Sequence, residues 1–234
     1  MDGLVKKKIK KFKDKVVVIT GASSGLGLNI AQEFIKENAK VSLCARRINK
    51  LKKNYQNKKN VFFQKVDVSS EKNIIKFLSN TIKKFGRIDI LINNAGIAKS
   101  SKVEKIKYTD LKKTFEVNVF APVIFIRESL KIMKKKNYGR IINVSSGGSV
   151  NCAETFFSYS SSKSALNTLA KTVTKEIKNF DIKINTISPG PCKTAMFPKN
   201  KLSTSLSIPT VKYLSSLPKN GPSGKFFWFM KKID

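Results

Sequence analysis

The chain has 234 residues, of which 41% are hydrophobic and 26% are charged, so it is long enough for one large core and too apolar for a disordered chain. It contains no histidine, which excludes Ser-His-Asp and Cys-His catalysis and every histidine-based metal site. Lys and Arg number 47 against 15 Asp and Glu, giving a net charge of +32 that would attract anionic partners.

The excess of basic residues has two interpretations. Lysine supplies 42 of the basic residues and arginine only five, and the lysines are spread along the whole chain. A/T-rich coding can produce this pattern without selection for a ligand, whereas a functional basic surface would attract nucleic acid, an anionic membrane or an acidic carrier protein. Nucleic-acid recognition favours arginine, so a nucleic-acid partner is disfavoured.

Three widely spaced cysteines, Cys44, Cys152 and Cys192, form no C-x-x-C pair and are expected to be free thiols in a reducing compartment. No apolar run reaches the ~18 residues that would span a membrane. We expect residues 1–14 to form a basic N-terminal tail, and the apolar run that follows, 16–19, is too short for a signal peptide. We therefore expect no membrane span and a cytoplasmic location.

Short apolar runs alternate with segments of helical periodicity along the rest of the chain. Strands are predicted at 16–20, 41–45, 61–66, 88–92, 141–144, 182–187 and 225–229. Helices are predicted over 26–37, through 74–85, along a stretch from about 109 to 135, through 166–177 and near 209–217. This alternation indicates right-handed βαβ crossovers, so we predict one doubly wound α/β domain over 15–234, with a parallel sheet of about seven strands and helices on both faces.

A glycine-rich turn, Thr20-Gly-Ala-Ser-Ser-Gly-Leu-Gly27, connects the first predicted strand to the first helix. Its glycines permit a tight turn, close backbone approach to a pyrophosphate and close helix–strand packing. The N–H groups at the start of the helix favour an anion. Because the strand and the helix are both predicted, we interpret the turn as a dinucleotide-binding site. Its residues are Gly21, Ser23, Ser24, Gly25, Leu26 and Gly27.

Two arginines follow the second predicted strand, where an acidic residue would bind the ribose hydroxyls of NAD. Arg46 and Arg47 would instead bind a 2′-phosphate, since a guanidinium clamps phosphate with paired hydrogen bonds and a carboxylate would repel it. The sequence thus favours NADPH (NADP+), with NADH as a further option. The competing interpretation is that both arginines are solvated at the start of a helix.

A tyrosine and a lysine, Tyr159 and Lys163, are spaced four residues apart at the start of a predicted helix and therefore share one helical face. An ammonium near a phenol favours the phenolate, so we expect the pKa of Tyr159 to be lowered toward working pH. Tyrosine can then act as a general acid or base without histidine. Ser146 follows the fifth predicted strand, at the carboxyl edge where ligands of such sheets bind.

In this order and spacing, the motifs resemble those of the short-chain dehydrogenase/reductase family over nearly the whole chain, and the segment 217–228 resembles its carbonyl-reductase-like branch. The matching motifs are Thr20-Gly-x-x-x-Gly-x-Gly27, Asp67-Val68, Asn93-Asn-Ala-Gly96, Asn118, Ser146, Tyr159-x-x-x-Lys163, Pro189-Gly190 and Thr194. The resemblance implies a single-domain Rossmann fold that binds NAD(P).

The resemblance also implies a role for each motif. Tyr159 would be the catalytic acid/base and Ser146 would orient the carbonyl. Lys163 would hold the nicotinamide ribose and tune Tyr159, while Asn118 would support a water that completes a proton relay. Further cofactor contacts are implied for Asp67 and Val68 at the adenine, for Asn94, Ala95 and Gly96 along its ribose, and for Pro189, Gly190 and Thr194 toward the nicotinamide. Asn93 and Asn94 could instead satisfy backbone groups, and the Pro-Gly pair could simply turn the chain.

These features predict an NADPH-dependent oxidoreductase that reduces an aldehyde or ketone to an alcohol. One alternative is a 3-ketoacyl-carrier-protein reductase, for which the basic surface would steer an acidic carrier protein; another is an alcohol dehydrogenase of the same family. A non-catalytic NADP(H)-binding or nucleic-acid-binding protein is the alternative outside the enzymes, and the intact reactive residues argue against it. Candidate apolar walls for the carbonyl substrate are Phe156, Phe157, Met196 and Phe197.

The sequence does not decide the oligomeric state. Members of the family often form homodimers or homotetramers through the helices that here begin near Thr109 and Phe157. The like charge of this chain opposes such association.

Overall fold

The computed structural model describes residues 11–233, and within that range eight strands form one sheet. Their bounds are β1 (Val16–Thr20), β2 (Lys40–Ala45), β3 (Val61–Lys65), β4 (Ile90–Asn93), β5 (Gly139–Val144), β6 (Ile182–Ser188), β7 (Phe226–Trp228) and β8 (Lys231–Ile233). The strand order is β3-β2-β1-β4-β5-β6-β7-β8. Neighbouring strands are parallel except β7 and β8, which are antiparallel.

The central strands are buried on both faces of the sheet. All five residues of β1, Val-Val-Val-Ile-Thr, are buried. Val17 and Ile19 belong to the apolar cluster on one face, and Val18 belongs to the cluster on the other, because successive side chains of a strand point to opposite faces. A continuous β-branched run is therefore what a strand covered on both sides requires.

Helices cover both faces of this sheet. Their bounds are α1 (Gly25–Lys36), α2 (Ile48–Tyr55), α3 (Glu71–Phe85), α4 (Tyr108–Phe115), α5 (Ala121–Lys135), α6 (Gly148–Asn151), α7 (Phe157–Glu176) and α8 (Ile208–Ser215). Apolar residues of α1, α2 and α8 pack in the cluster that contains Val17, and those of α3, α5 and α7 pack in the cluster that contains Val18. The predicted doubly wound α/β fold is confirmed.

Three parts of the secondary structure differ from the sequence prediction. The short edge strand β8 adds an eighth strand and is antiparallel, and α2 and α6 were not predicted. The long helical stretch predicted from about 109 to 135 is interrupted: a π-helical segment, Glu116–Phe120, separates α4 from α5. Pro122 lies in the first turn of α5 and has no N–H to offer the carbonyl of Asn118, four residues earlier, so the regular α-helical hydrogen bond at that point cannot form.

The strand order places a crevice at the centre of the sheet. The chain moves outward from β1 to β3 on one side and from β4 to β7 on the other, so the connections leaving β1 and β4 diverge. In open α/β sheets, ligands bind at this switch point, outside the carboxyl ends of the strands. The glycine-rich turn after β1 and the Asn94–Gly96 segment after β4 both lie there.

The predicted division of the chain into a tail and a domain falls partly outside the described residues, which begin at residue 11. Phe12, inside the predicted tail, is buried and packs edge-on against Phe34 of α1, with ring centroids 4.9 Å apart. Among the described residues, the first buried apolar side chain thus lies three residues before the predicted boundary. Within residues 11–233, no helix is both long enough and apolar enough to cross a lipid bilayer.

Candidate active site

A cavity of about 1130 Å³ opens at the carboxyl ends of the parallel strands. It brings together candidate residues that are up to 173 positions apart in the chain. Those that line it are Gly21, Ser23, Ser24, Gly25, Leu26, Gly27, Arg46, Arg47, Asp67, Val68, Asn94, Ala95, Gly96, Ser146, Tyr159, Lys163, Pro189, Gly190 and Thr194. Of the predicted catalytic and cofactor-binding residues, Asn118 alone does not line the cavity, and it is fully buried.

The glycine-rich turn is held tightly against the segment after β4. Gly21 has φ +68°, a conformation that favours glycine. A Cβ atom at Gly27 would lie only 2.5 Å from the carbonyl oxygen of Gly21, so a side chain there would displace the turn. Thr20 Oγ1 accepts hydrogen bonds from the backbone N–H groups of Asn94 and Ala95, at 3.0 and 2.9 Å. The turn therefore presents the start of α1, which has no acidic residue in its first turn, to the cavity.

The two arginines lie at the end of the cavity formed by β2 and β3, and both are exposed. Arg47 Nη2 donates a 2.6 Å hydrogen bond to Ser24 Oγ, which orients the guanidinium over the start of α1. Asp67 Oδ1 accepts from the backbone N–H and the hydroxyl of Ser69, at 3.0 and 2.7 Å. These bonds, followed by the charges of Lys113 and Arg46, lower the pKa of Asp67. This end of the cavity thus combines two cations with one ionised carboxylate.

Three reactive side chains meet at the other end of the cavity. Tyr159 is 8% exposed, and a Cβ atom at Gly148 would lie 3.4 Å from Ser146 Oγ and 3.9 Å from Tyr159 Cε1, so the two side chains approach the same point of the cavity. Ser146 Oγ accepts from the backbone N–H of Gly148 at 3.1 Å, which leaves its O–H free to point toward Tyr159. Lys163 Nζ donates to the carbonyl oxygen of Val144 at 2.8 Å and lies 5.8 Å from the centroid of the Tyr159 ring. The predicted sharing of one helical face is confirmed.

The sequence predicted a lowered pKa for Tyr159. With the groups that this chain provides around it, the pKa is raised instead, so that prediction is wrong. Burial raises the pKa of Tyr159 above its usual value, and the neighbouring Ser146 hydroxyl opposes this only in part. Lys163 does not reverse the shift, because its ammonium is bound to a backbone carbonyl and because burial lowers its own pKa to about 8. Tyr159 is therefore protonated at neutral pH and can donate a proton.

Asn118 lies in the π-helical segment between α4 and α5, and its side chain is fully engaged. Nδ2 donates to the carbonyl of Ile97 at 2.9 Å and to Ser162 Oγ at 3.0 Å, while Oδ1 accepts from the N–H of Ile97 at 2.9 Å. A Cβ atom at Gly96 would lie 3.3 Å from both Asn118 Oδ1 and Lys163 Nζ, so the two groups flank the same point of the chain. Both N–H bonds of the Asn118 amide are thus already used within the protein.

The predicted apolar walls are present in part. Met196 and Phe197 line the cavity, whereas Phe156 does not. The rings of Phe156, Tyr159 and Phe197 pack together, with centroids 5.9 to 6.3 Å apart. Phe157, however, is 52% exposed and does not line the cavity. It precedes Tyr159 by two residues of α7, a rotation of about 200° around the helix, so the two side chains face opposite directions.

Sequence reasoning missed Trp228 and Cys152, which both line the cavity. Trp228 is the last residue of β7, so its place at the carboxyl edge of a parallel strand was a usable signal. Cys152 follows the unpredicted α6, and no pattern in the sequence marks it. The three cysteines are free, as predicted, with Cys44 and Cys192 buried and Cys152 exposed.

Comparison with known proteins agrees with this architecture. Residues 15–204 match the family described as short chain dehydrogenase. The NADP-dependent (R)-specific alcohol dehydrogenase of Lentilactobacillus kefiri is 32% identical over 192 residues, which cover 80% of this chain and 76% of that protein. The solved structure of ElxO with NADP bound has 28% identity and a TM-score of 0.85, covering 92% of this chain and 97% of that one.

A second solved structure supports the fold alone. The 3-ketoacyl-(acyl-carrier-protein) reductase from Brucella melitensis, complexed with NADH, has 24% identity and a TM-score of 0.88, covering 93% of this chain and 97% of that one. With the family match, these similarities show that the chain belongs to the short-chain dehydrogenase family. It is an oxidoreductase that acts between CH–OH and C=O groups.

Proposed function

We propose that the protein is an NADPH-dependent carbonyl reductase that converts an aldehyde or ketone to an alcohol, with Tyr159 as the proton donor. The observation that carries this proposal is that Tyr159 and Ser146 line the same cavity beside Gly148, with the phenol kept protonated by burial, which raises its pKa. A protonated acid next to a second hydroxyl suits a reaction in which a carbonyl oxygen gains charge and then a proton.

The proposed roles are those that the family resemblance implies, and the positions of the residues in the cavity support them. When bound, the reduced nicotinamide supplies two electrons and one of the two hydrogens that the carbonyl gains. Ser146 donates a hydrogen bond to the carbonyl oxygen and orients it, and Tyr159 then gives that oxygen its proton. The ammonium of Lys163 holds the ribose hydroxyls and stabilises the phenolate left on Tyr159. The carbonyl of Asn118, deprived of its regular helical partner by Pro122, is the proposed binding point for the water that returns the proton.

The opposite end of the cavity fits an adenine dinucleotide phosphate. The start of α1, with its glycine cradle, suits the pyrophosphate, and Arg46 and Arg47 suit a 2′-phosphate. Asp67 and Val68 would contact the adenine, with Asn94, Ala95 and Gly96 along the ribose and Pro189, Gly190 and Thr194 toward the nicotinamide. The names of two similar proteins, an NADP-dependent dehydrogenase and ElxO with NADP bound, support NADP(H), while the Brucella structure holds NADH.

Titration with NADPH and NADH, followed by NADPH oxidation with a panel of aldehydes and ketones, tests the proposal. We expect micromolar NADPH binding, weaker NADH binding and turnover of at least one carbonyl compound. Binding without turnover would contradict the reductase, and absence of binding would contradict the assignment of the cavity.

The basic surface favours one alternative to the reduction of free carbonyl compounds, namely the reduction of ketoacyl groups attached to an acidic carrier protein. The same assay separates the two, since turnover of carrier-linked ketoacyl groups but not of free ketones would favour the carrier-dependent reaction. A homodimer or homotetramer and a cytoplasmic location stay predictions from the sequence, and a nucleic-acid partner stays disfavoured.

A further inference from the structure

The catalytic end of the cavity, which we define as the part lined by the loops after β5 and β6 and by the end of β7, differs in character from the rest of the molecule. Besides the reactive residues, the side chains that line it include Asn151, Cys152, Met196, Phe197, Asn200 and Trp228. Among the described residues that line it, Lys163 alone carries charge, and its ammonium is bound to Val144. A chain of net charge +32 therefore has an almost uncharged, partly aromatic surface around its proton donor.

The charged residues of the cavity lie elsewhere. Arg46 and Asp67 follow β2 and β3, whereas Ser146 follows β5. Three strand spacings separate β2 from β5 in the sheet, which is roughly 14 Å. Surface charges are screened over a Debye length of about 8 Å at physiological salt. The electrostatic environment of the reacting carbonyl is therefore set mainly by the residues next to it, which offer almost no charged partner.

Trp228 is fixed in this end by the sheet and by a glycine. It pairs with Ser188 of β6 and with Lys231 of β8. A Cβ atom at Gly147 would lie 2.7 Å from the indole Cη2 atom, so the ring covers the backbone next to Ser146. Gly147 has φ −57°, an ordinary helical value, so its backbone conformation does not require glycine. Glycine is required at this position because the indole ring occupies the space that a side chain would need.

Phe229, the residue after Trp228, packs in the same way against a glycine of the loop after β6. A Cβ atom at Gly190 would lie 2.5 Å from Cζ of Phe229. The last segment of the sheet thus inserts two neighbouring aromatic rings into spaces left by glycines of the loops after β5 and β6. One of these rings, Trp228, forms part of the cavity wall, and it is the only tryptophan of the chain.

We propose that Trp228 is a substrate-specificity residue and that the substrate is an uncharged carbonyl compound with a flat apolar group that stacks on the indole. This inference rests on the proposed carbonyl reduction. A flat ring gains from offset or edge contacts with aromatic side chains, which Phe197 also offers. A carboxylate on the substrate would lose its hydration without gaining a free cationic partner at this end.

Three aldehydes of similar size test the substrate class: benzaldehyde, cyclohexanecarbaldehyde and 4-carboxybenzaldehyde. With NADPH, we expect kcat/KM for benzaldehyde to exceed those of the other two by about tenfold. Trp228→Ala should reduce the benzaldehyde value about tenfold and leave that of cyclohexanecarbaldehyde within about twofold, and Trp228→Phe should restore most of the loss. Met230→Ala, an exposed residue of the same segment, is the matched control.

The fluorescence of the single tryptophan gives a readout that requires neither turnover nor a variant. Benzaldehyde added to the wild-type protein with NADP+ should quench it at concentrations where cyclohexanecarbaldehyde does not. A preference for the carboxylated aldehyde, an equal loss for both uncharged aldehydes in Trp228→Ala, or unchanged fluorescence would overturn the substrate proposal alone. Absence of NADPH oxidation with every carbonyl compound would instead overturn the carbonyl reductase itself.

Discussion

Arg47 illustrates how one hydrogen bond orders a side chain at the proposed cofactor end of the cavity. Its guanidinium is already bound to Ser24 at the start of α1, so it does not need to be ordered when a phosphate arrives. Arg46 lies near enough to Asp67 to help lower the pKa of that carboxyl. The two neighbouring arginines thus have different partners and form one cationic site.

Replacing both residues, Arg46→Ala with Arg47→Ala, should weaken NADPH binding about 10- to 100-fold, because charge-assisted hydrogen bonds to the 2′-phosphate are lost. NADH binding should change by less than about threefold, since NADH lacks that phosphate. Fluorescence titration with both cofactors measures the difference. Equal losses for NADPH and NADH would show that the arginines do not recognise the phosphate.

Lys163 should make cofactor binding depend on pH. Burial lowers its pKa to about 8 from an ordinary value of 10.5, so the ammonium is present below pH 8 and is lost as the pH rises through that value. If only the ammonium holds the ribose, the Kd for NADPH should increase roughly tenfold between pH 7 and pH 9. Lys163→Met should bind more weakly at pH 7 and show no such change; a wild-type profile that stays flat to pH 9 would exclude this role.

At the scale of elements, the π-helical segment and α7 are joined by one buried hydroxyl. Ser162 Oγ donates to the carbonyl of Tyr159 at 2.7 Å and accepts from Asn118 Nδ2 at 3.0 Å. The segment that carries Asn118 is therefore attached to the helix that carries the proton donor. Neighbouring Ser161 donates only to carbonyls of its own helix, those of Phe157 and Ser158.

Ser162→Ala should lower the free energy of unfolding by about 1–3 kcal/mol, because it leaves the amide of Asn118 with an unsatisfied buried donor. It should also reduce kcat, since Tyr159 loses its link to the π-helical segment. Ser161→Ala is the matched control and should change the free energy of unfolding by less than about 0.5 kcal/mol. Chemical denaturation and steady-state kinetics of both variants test this, and equal effects would argue against the link.

The sequence predicted the elements whose signals are local. β1 is a β-branched run that ends in glycines, and the spacing of Tyr159 and Lys163 fixes their common helical face. The interruption at Glu116–Phe120 was missed because its apolar positions continue the helical pattern, and only Pro122 hints at a break. Trp228 and the raised pKa of Tyr159 depend on packing between distant segments, which periodicity does not report.

The whole molecule combines a strongly cationic surface with an almost neutral catalytic end. A net charge of +32 creates a field that attracts anions over long distances and weakens as salt screens it. In the proposed reaction, the dinucleotide would enter through this field, whereas an uncharged carbonyl compound would not respond to it. The surface charge would therefore affect the association of the dinucleotide, whereas the neutral catalytic end would affect the binding of the carbonyl substrate.

The association rate of NADPH should fall steeply with ionic strength, by about tenfold between 20 and 300 mM salt, because steering of an anion by a cationic surface is screened. NADH, which carries less negative charge, should show a smaller decrease. Stopped-flow fluorescence with both cofactors measures the two slopes. Equal slopes or rates independent of salt would mean that the basic surface does not assist cofactor entry.

The most direct test of the account is the substitution Tyr159→Phe, which removes one hydroxyl and keeps the ring that packs against Phe156 and Phe197. We predict that the Kd for NADPH stays within about threefold of the wild type, while turnover of a carbonyl substrate falls by about 10² or more, the scale expected for loss of a general acid. Turnover close to that of the wild type, measured in the same titration and NADPH oxidation assays, would show that Tyr159 is not the proton donor.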